Sequence, residues 1–230
     1  MPEWWPQRRF VRQSITLPLL HKPKDALPTN DGAGWTCDLS VAGARIELSK
    51  RFEPQEFLHV RLQTDRGSIE GEARVIWAAN PLPVEGGVRH GVVFTHLAPD
   101  HLGALRELLF SMKPWLHPGG RLQVNLPVTC RTQRPPRLPL EGRAGNLSRG
   151  GMLLRLPRAL LPLTELEFTL PRPVESLTLT GAVVWVEPLE RRKVERLIAH
   201  GLRFTGLDWT ASLALARFLA EPRESVRRSP

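Results

Sequence analysis

The chain of 230 residues repeats itself, and this duplication limits its possible folds more than any other feature of the sequence. Three segments of the first half recur in the same order in the second half, at offsets of 108, 108 and 110 residues. The pairs are 38–43 (DLSVAG) with 146–151 (NLSRGG), Trp77 with Trp185, and 90–97 (HGVVFTHL) with 200–207 (HGLRFTGL). A repeat of this length indicates two tandem units of ordinary domain size. We expect the boundary near residue 114, which gives domains 1–114 and 115–230.

Each half has the pattern of short, half-buried β-strands. Apolar residues alternate with polar ones over 44–48 and 58–62, and again over 152–156 and 166–170. Because successive side chains of a strand point to opposite faces, this alternation gives each strand one apolar face. Clusters of Gly and Pro separate the strands as turns. The pattern predicts a mainly β fold with a small antiparallel barrel in each half.

A helix is predicted at the end of each half. Pro99 can occupy a first helical turn, and leucines follow it at helical spacing up to Met112. The counterpart in the second half is 209–220. Pro114 cannot continue a helix, so the residues around it form a connector between the two domains.

The charge balance indicates an anionic partner. Lys and Arg number 32 against 23 Asp and Glu, a formal charge of +9. Such a surplus favours nucleic acid, an acidic protein surface or a phosphorylated small molecule.

Other classes of protein lack support in the sequence. No apolar run approaches the roughly 20 residues that cross a bilayer, and no signal peptide precedes the first domain. We therefore expect a cytoplasmic protein without membrane insertion. Phosphate-binding loops, HExxH and GxSxG motifs are absent, so we expect no enzyme and no cofactor. Cys37 and Cys130 do not have the spacing of metal ligands.

A two-part motif in the first half resembles that of a known family. Arg8 and Arg12, four residues apart, precede the first strand, and Asp38, Ser40 and Gly43 follow later. This RxxxR and [D/N]xSxxG pattern is similar to the signature of PilZ domains, and the resemblance covers nearly the whole chain, once per half. It implies two tandem six-stranded antiparallel PilZ-like β-barrels, each closed by a C-terminal α-helix, and it implies cyclic di-GMP as the ligand.

The resemblance also implies a ligand site in the first domain. Its residues are Arg8, Arg9, Arg12, Asp38, Ser40 and Gly43. The arginines would hold guanine edges and phosphates, for which a planar guanidinium is well suited. The carboxylate and hydroxyl would hydrogen-bond a guanine, and the glycine would permit close approach of the ligand.

The second half departs from this pattern. Arg121 is present, but Asn125 stands four residues later, so one arginine of the pair is missing. The remaining positions are kept as Asn146, Ser148 and Gly151. We expect a weak second site or none, and a domain that acts mainly as a scaffold or partner-binding surface.

The favoured function is a cyclic di-GMP receptor that signals through contacts with an effector protein, in control of motility, pili or biofilm. One alternative is a PilZ-like adaptor that binds proteins but no nucleotide. A basic nucleic-acid-binding protein is a less favoured alternative. His90 and His200 are interpreted as structural, and Trp77 and Trp185 as core residues at strand ends.

Overall fold

The structure is a computed structural model, and it describes most of the chain. The described residues are 10–24, 31–80, 86–111, 120–135, 137, 139–171, 176–191 and 197–221. Arg8, Arg9 and the expected boundary at residue 114 lie outside these ranges.

The first half forms one closed barrel. Its strands are β1 (Pro18–Pro23), β2 (Gly32–Ser40), β3 (Gly43–Leu48), β4 (Phe57–Thr64), β5 (Gly67–Ala78) and β6 (Val88–Leu97), and helix α1 (Pro99–Ser111) follows them. The strands pair in the order β1-β2-β3-β6-β5-β4, and β4 closes the barrel on β1 through antiparallel pairing.

The second half repeats this topology. Its strands are β7 (Leu122–Thr132), β8 (Pro139–Ser148), β9 (Gly151–Leu156), β10 (Glu165–Leu170), β11 (Leu177–Val186) and β12 (Ile198–Thr205), and helix α2 (Trp209–Ala220) follows them. A short 3-10 helix, Leu189–Arg191, lies between β11 and β12. The order β7-β8-β9-β12-β11-β10 matches that of the first barrel strand for strand. The predicted pair of six-stranded antiparallel barrels, each followed by a helix, is confirmed.

The alternating segments fill the barrel interiors as predicted. On β4 every second residue is buried, and β10 repeats this pattern around the fully buried Phe168. Burying one such side chain stabilises the fold by about 1.5–3 kcal/mol. The period-two pattern of the sequence therefore specifies which face of each strand lies inside.

The prediction that His90 and His200 are structural is confirmed. Both side chains are fully buried. The Nε2 atom of His90 accepts a 3.0 Å hydrogen bond from the backbone N–H of Phe52, and Nε2 of His200 accepts one of the same length from Leu160. Each imidazole thus fixes the loop that joins the third and fourth strands of its barrel.

Helix α2 contacts both barrels. It follows the second barrel in sequence, but it also packs against β1, β2 and β4 of the first. Trp35 of β2 is fully buried, and its Nε1 donates to the hydroxyl oxygen of Ser212 at 3.0 Å. A helix this rich in apolar residues is buried on more than one side, and the first barrel covers the side that its own barrel leaves free.

Among the described residues, no helix is both long and apolar enough to cross a lipid bilayer.

Candidate functional site

The first barrel carries a charged cluster centred on Asp38. Nη1 of Arg12 donates to Oδ1 of Asp38 at 3.0 Å. Nε of Arg45 lies 3.0 Å from Oδ2, and the backbone N–H of Arg45 donates to Oδ1 at 3.2 Å. The strand pairing explains this arrangement, because an irregularity between Thr36 and Asp38 places Asp38 opposite Arg45 of β3. A bridge between Gln13 and Leu39 brings the adjacent Arg12 to the same place.

The cluster has a net positive charge. One carboxylate, whose side chain is only 16% exposed, is surrounded by two guanidinium groups. Each guanidinium has five N–H donors, so most of them are free to bind other acceptors. A carboxylate has about four acceptor positions, and the three contacts above leave one for a further donor. The cluster can therefore bind a ligand that has both anionic groups and N–H donors.

Ser40 and Gly43 close the turn between β2 and β3. The Ser40 hydroxyl is buried and donates to the carbonyl oxygen of Gly43 at 3.0 Å, and Ser148 donates to Gly151 at 3.2 Å in the second barrel. A Cβ at position 43 would collide with the backbone carbonyl oxygen of Val92. The glycine is thus required by the close packing of two strands. The resemblance had implied another reason for the glycine, namely that it permits close approach of the ligand.

A shallow hollow of about 230 Å³ adjoins the charged cluster. It is lined by Phe10, Arg12, Ser40, Ala42, Gly43, Ile76, Trp77, Gly91, Val92 and Val93. Sites that enclose a small ligand usually measure about 300–1,000 Å³, so this hollow suits only part of a dinucleotide. The rest of such a ligand would lie over the arginines at its rim.

The prediction that Trp77 and Trp185 are core residues is wrong. Their side chains are 41% and 46% exposed. Each indole lies on the outside of its barrel over a glycine of the neighbouring strand, Gly91 or Gly201, where a Cβ would collide with the ring. Because strand glycines leave space beside the sheet, they allow these large rings to pack against the outer wall.

Sequence reasoning also missed Arg45 and the apolar residues Phe10 and Ile76. Arg45 could have been found, because it and Asp38 flank one tight turn at a distance that pairs them across two strands. The apolar residues give no such signal, since their role depends on the curvature that brings β5 beside the N-terminal segment. The structure does not describe Arg8 and Arg9, which leaves their predicted roles untested.

The strand register changes how the second half aligns with the first. Leu122 pairs with Leu147 as Gln13 pairs with Leu39, so Arg121 is equivalent to Arg12. The prediction that Arg121 matches the first arginine of the pair is therefore wrong by four residues. The position equivalent to Asp38 is Asn146, and that of Arg45 is Leu153. The second barrel therefore lacks the charged cluster.

The four residues of the suggested second site have two different settings. Arg121 and Asn146 line a cleft of about 450 Å³ between the barrels, opposite the β4–β5 turn and α1. Ser148 and Gly151 close the β8–β9 turn, as their counterparts do in the first barrel.

The β8–β9 turn also makes a contact between the barrels. Arg149 lies in this turn, and its Nη1 is 2.8 Å from a carboxylate oxygen of Glu47 on β3. Its guanidinium carbon lies 5.6 Å from the ring centre of Trp35 and 5.7 Å from that of Trp209. At these distances a cation is attracted to both aromatic faces. The β8–β9 turn thus joins the two barrels, whereas the equivalent turn of the first barrel lies beside the Asp38 cluster.

Comparisons with known proteins give a consistent result. The family described as "PilZ domain" matches the chain twice, over residues 6–111 and 119–221. No curated protein sequence matches the chain.

Several solved structures show similarity to this chain. The PilZ domain of YcgR from Escherichia coli, solved with cyclic di-GMP, is 17% identical and has a TM-score of 0.39, covering 46% of this chain and 90% of its own. The Bacillus subtilis inhibitor of motility (MotI/DgrA) is 10% identical with a TM-score of 0.37, covering 89% and 95%. Borreliella burgdorferi PlzA in complex with cyclic di-GMP is 11% identical with a TM-score of 0.33, covering 88% of each chain.

Proposed function

The chain belongs to the PilZ domain family, and on that premise we propose that it is a receptor which binds cyclic di-GMP at its first barrel. The observation that carries the proposal is the pair of arginines around Asp38, next to a hollow with an exposed tryptophan. The ligand is an intracellular messenger, so the receptor would act in the cytoplasm. It would signal by contact with an effector protein, in control of motility, pili or biofilm.

The chemistry of the cluster supports this ligand. Cyclic di-GMP has two phosphate charges and two guanines, and guanine presents N–H donors on its Watson–Crick edge. These donors suit the carboxylate of Asp38, while guanidinium groups suit phosphate oxygens and the acceptors of guanine. In the structure, Arg12 and Arg45 share this one carboxylate.

Binding would exchange one partner for another at this carboxylate. One acceptor position of Asp38 is open, so a guanine that donates two N–H groups to the carboxylate would also take the place of Arg12, and the freed guanidinium could then bind a phosphate or stack on a base. Arg8 and Arg9 precede Arg12 closely enough in sequence to join it on the same ligand. Ser40 would act by holding the turn, because its hydroxyl proton is already donated to Gly43.

Isothermal titration of the intact protein with cyclic di-GMP tests the proposal. A hydrogen bond to a charged group contributes about 1.5–3 kcal/mol, so Arg12→Ala should weaken binding roughly 10- to 100-fold. The matched control is Arg121→Ala, because Arg121 occupies the same register position in the second barrel. We expect this control to bind as the wild type does.

Other results would favour the alternatives. A folded wild-type protein that releases no heat with cyclic di-GMP would support the adaptor without nucleotide. Binding to single-stranded DNA that falls steeply with salt and tolerates Asp38→Ala would support the nucleic-acid-binding protein. Equal losses in Arg12→Ala and Arg121→Ala would contradict the assignment of the site to the first barrel.

A further inference from the structure

The loop between the third and fourth strands has the same backbone in both barrels. Residues 49–56 join β3 to β4, and residues 157–164 join β9 to β10. Gln55 and Leu163 occupy the same position in these loops, and both have left-handed φ angles, of 80° and 68°. The backbone N–H of each donates at 2.8 Å to a carbonyl oxygen of the neighbouring strand, β5 or β11. The conformation of the loop therefore belongs to the duplicated fold.

The side chains of the two loops differ in kind. In the first barrel, Glu53 forms a 2.8 Å ion pair with Arg51, and Gln55 accepts a 3.0 Å hydrogen bond from an arginine of β5. In the second barrel, Leu161 and Leu163 occupy the positions of Glu53 and Gln55, and their side chains are 78% and 82% exposed. Two polar residues with local partners are thus replaced by two leucines that face solvent.

These leucines give the fold no advantage. Leucine is disfavoured at a left-handed φ angle, because its Cβ crowds the backbone. The first barrel forms the same loop with glutamine at that position. Both leucines also leave apolar surface in water, and burying that surface would be favourable. Two exposed leucines that line the same hollow therefore indicate a surface that a binding partner covers.

The surroundings of the leucines are basic and concave. Leu161 and Leu163 border a hollow of about 540 Å³, together with Arg134 and Arg158. Neither arginine forms an ion pair with another residue in the described part of the chain. Of the described residues that line the hollow, Glu165 alone is acidic, and it is half-buried. The hollow thus complements a ligand that is both apolar and negatively charged.

We infer that residues 157–164, the Leu161–Leu163 loop, form with Arg134 and Arg158 a docking surface for a protein segment that presents apolar side chains beside carboxylates. A hollow receives individual side chains, whereas a bilayer is a flat surface, so the geometry favours a protein. The inference goes beyond the proposed function, because it concerns the second barrel and holds whether or not the first barrel binds a nucleotide. It assigns the contact with the effector to this loop.

A library of random short peptides displayed on phage, selected on the full chain, tests this surface. Counter-selection uses the double variant Leu161→Glu/Leu163→Gln, which has the residues of the first barrel at these positions. We expect the recovered peptides to combine leucine, isoleucine or phenylalanine with aspartate or glutamate. A synthetic peptide of such a sequence should bind the double variant, and Arg158→Glu, about tenfold more weakly than it binds the wild type. Leu189→Gln changes another exposed leucine of the second half, and it should leave the affinity unchanged.

The same variants provide the results that would overturn the inference. The double variant should unfold at the same temperature as the wild type or higher, and a lower temperature would mean that the leucines are structural. Peptides that bind the double variant equally well would also overturn it. So would binding to vesicles of phosphatidylcholine and phosphatidylglycerol, or self-association in sedimentation, if the double variant abolished it. Vesicle binding of this kind would assign the loop to membranes, and self-association would assign it to contact with a second copy of the chain.

Discussion

At the scale of single residues, Trp77 shows how a strand glycine can hold a large ring on the outside of a barrel. Its indole packs on the outside of the barrel over Gly91, since any larger residue there would displace the ring. The exposed part of the indole borders the same hollow as Arg12. An aromatic face beside a guanidinium group is a stacking surface for a nucleobase, because every base has a π-face.

We expect Trp77→Ala to weaken cyclic di-GMP binding about tenfold, because stacking contributes about 1–3 kcal/mol for each base. The measurement is the same calorimetric titration that tests the receptor. Trp185→Ala is the matched control, since Trp185 packs on Gly201 in the same way in the second barrel. Trp185→Ala should lower the stability of the protein as much as Trp77→Ala does, and it should leave the affinity for cyclic di-GMP unchanged. Equal affinities of the two variants would contradict a role for Trp77 and leave the receptor proposal unaffected.

At the scale of elements, the β2–β3 turn separates the residues that the fold requires from those that differ between the two barrels. Ser40 and Gly43 make the same contacts in the first barrel as Ser148 and Gly151 make in the second. The charged cluster around Asp38 has no counterpart in the second barrel, where the equivalent residue is an asparagine. The fold preserves the serine and the glycine in both copies, and the charged residues differ between them.

Gly43→Ala should destabilise the protein by about 1–3 kcal/mol, because the added Cβ meets a backbone carbonyl that can move only with the whole of β6. Urea denaturation measures the loss. Gly151→Ala should lose a similar amount, since its Cβ would meet the carbonyl oxygen of Leu202. Gly150→Ala is the control, because open space surrounds its Cβ position. If Gly43→Ala kept full stability but lost ligand affinity, the glycine would be needed for ligand approach after all.

At the scale of the whole molecule, the two barrels form one packed unit. Helix α2 of the second half covers β1 and β2 of the first, and Arg149 reaches across to Glu47 between two tryptophan rings. Arg45 and Glu47 lie two residues apart on β3, on the same face of that strand. One face of β3 therefore carries both the Asp38 cluster and the ion pair that joins the barrels.

Arg149→Ala should weaken the docking of the barrels and lower the free energy of unfolding by about 1–3 kcal/mol. The Glu47 carboxylate is mostly buried, and among the described residues the loss of Arg149 leaves it only one ion-pair partner, Arg89, at 4.0 Å. Urea denaturation followed by tryptophan fluorescence measures this, since two tryptophans flank Arg149. Arg203→Ala, at an exposed position of β12, is the control and should change little. An unchanged stability of Arg149→Ala would mean that the helix alone holds the barrels together.

The pattern of residues along the chain was enough to predict the duplication, the mainly β character of each half and both helices. These features arise from interactions close along the chain, such as the alternation on β4 and the helical spacing after Pro99, so the local pattern of residues records them. It also pointed to Asp38 and Arg12, because their motif resembles that of a known family, and the structure places the two side chains 3.0 Å apart. It correctly assigned His90 a structural role.

What each surface packs against became known from the three-dimensional arrangement of the elements. Periodicity states that a face of α2 is apolar, but not that the first barrel covers it. Arg149 and Glu47 are separated by 102 residues, and Trp35 and Ser212 by 177, and no spacing rule links positions so far apart. The exposure of Trp77 follows from its pairing with Gly91, and the equivalence of Arg121 with Arg12 from the strand register. Such facts depend on how strands and barrels meet in space, which is a property of packing between distant segments.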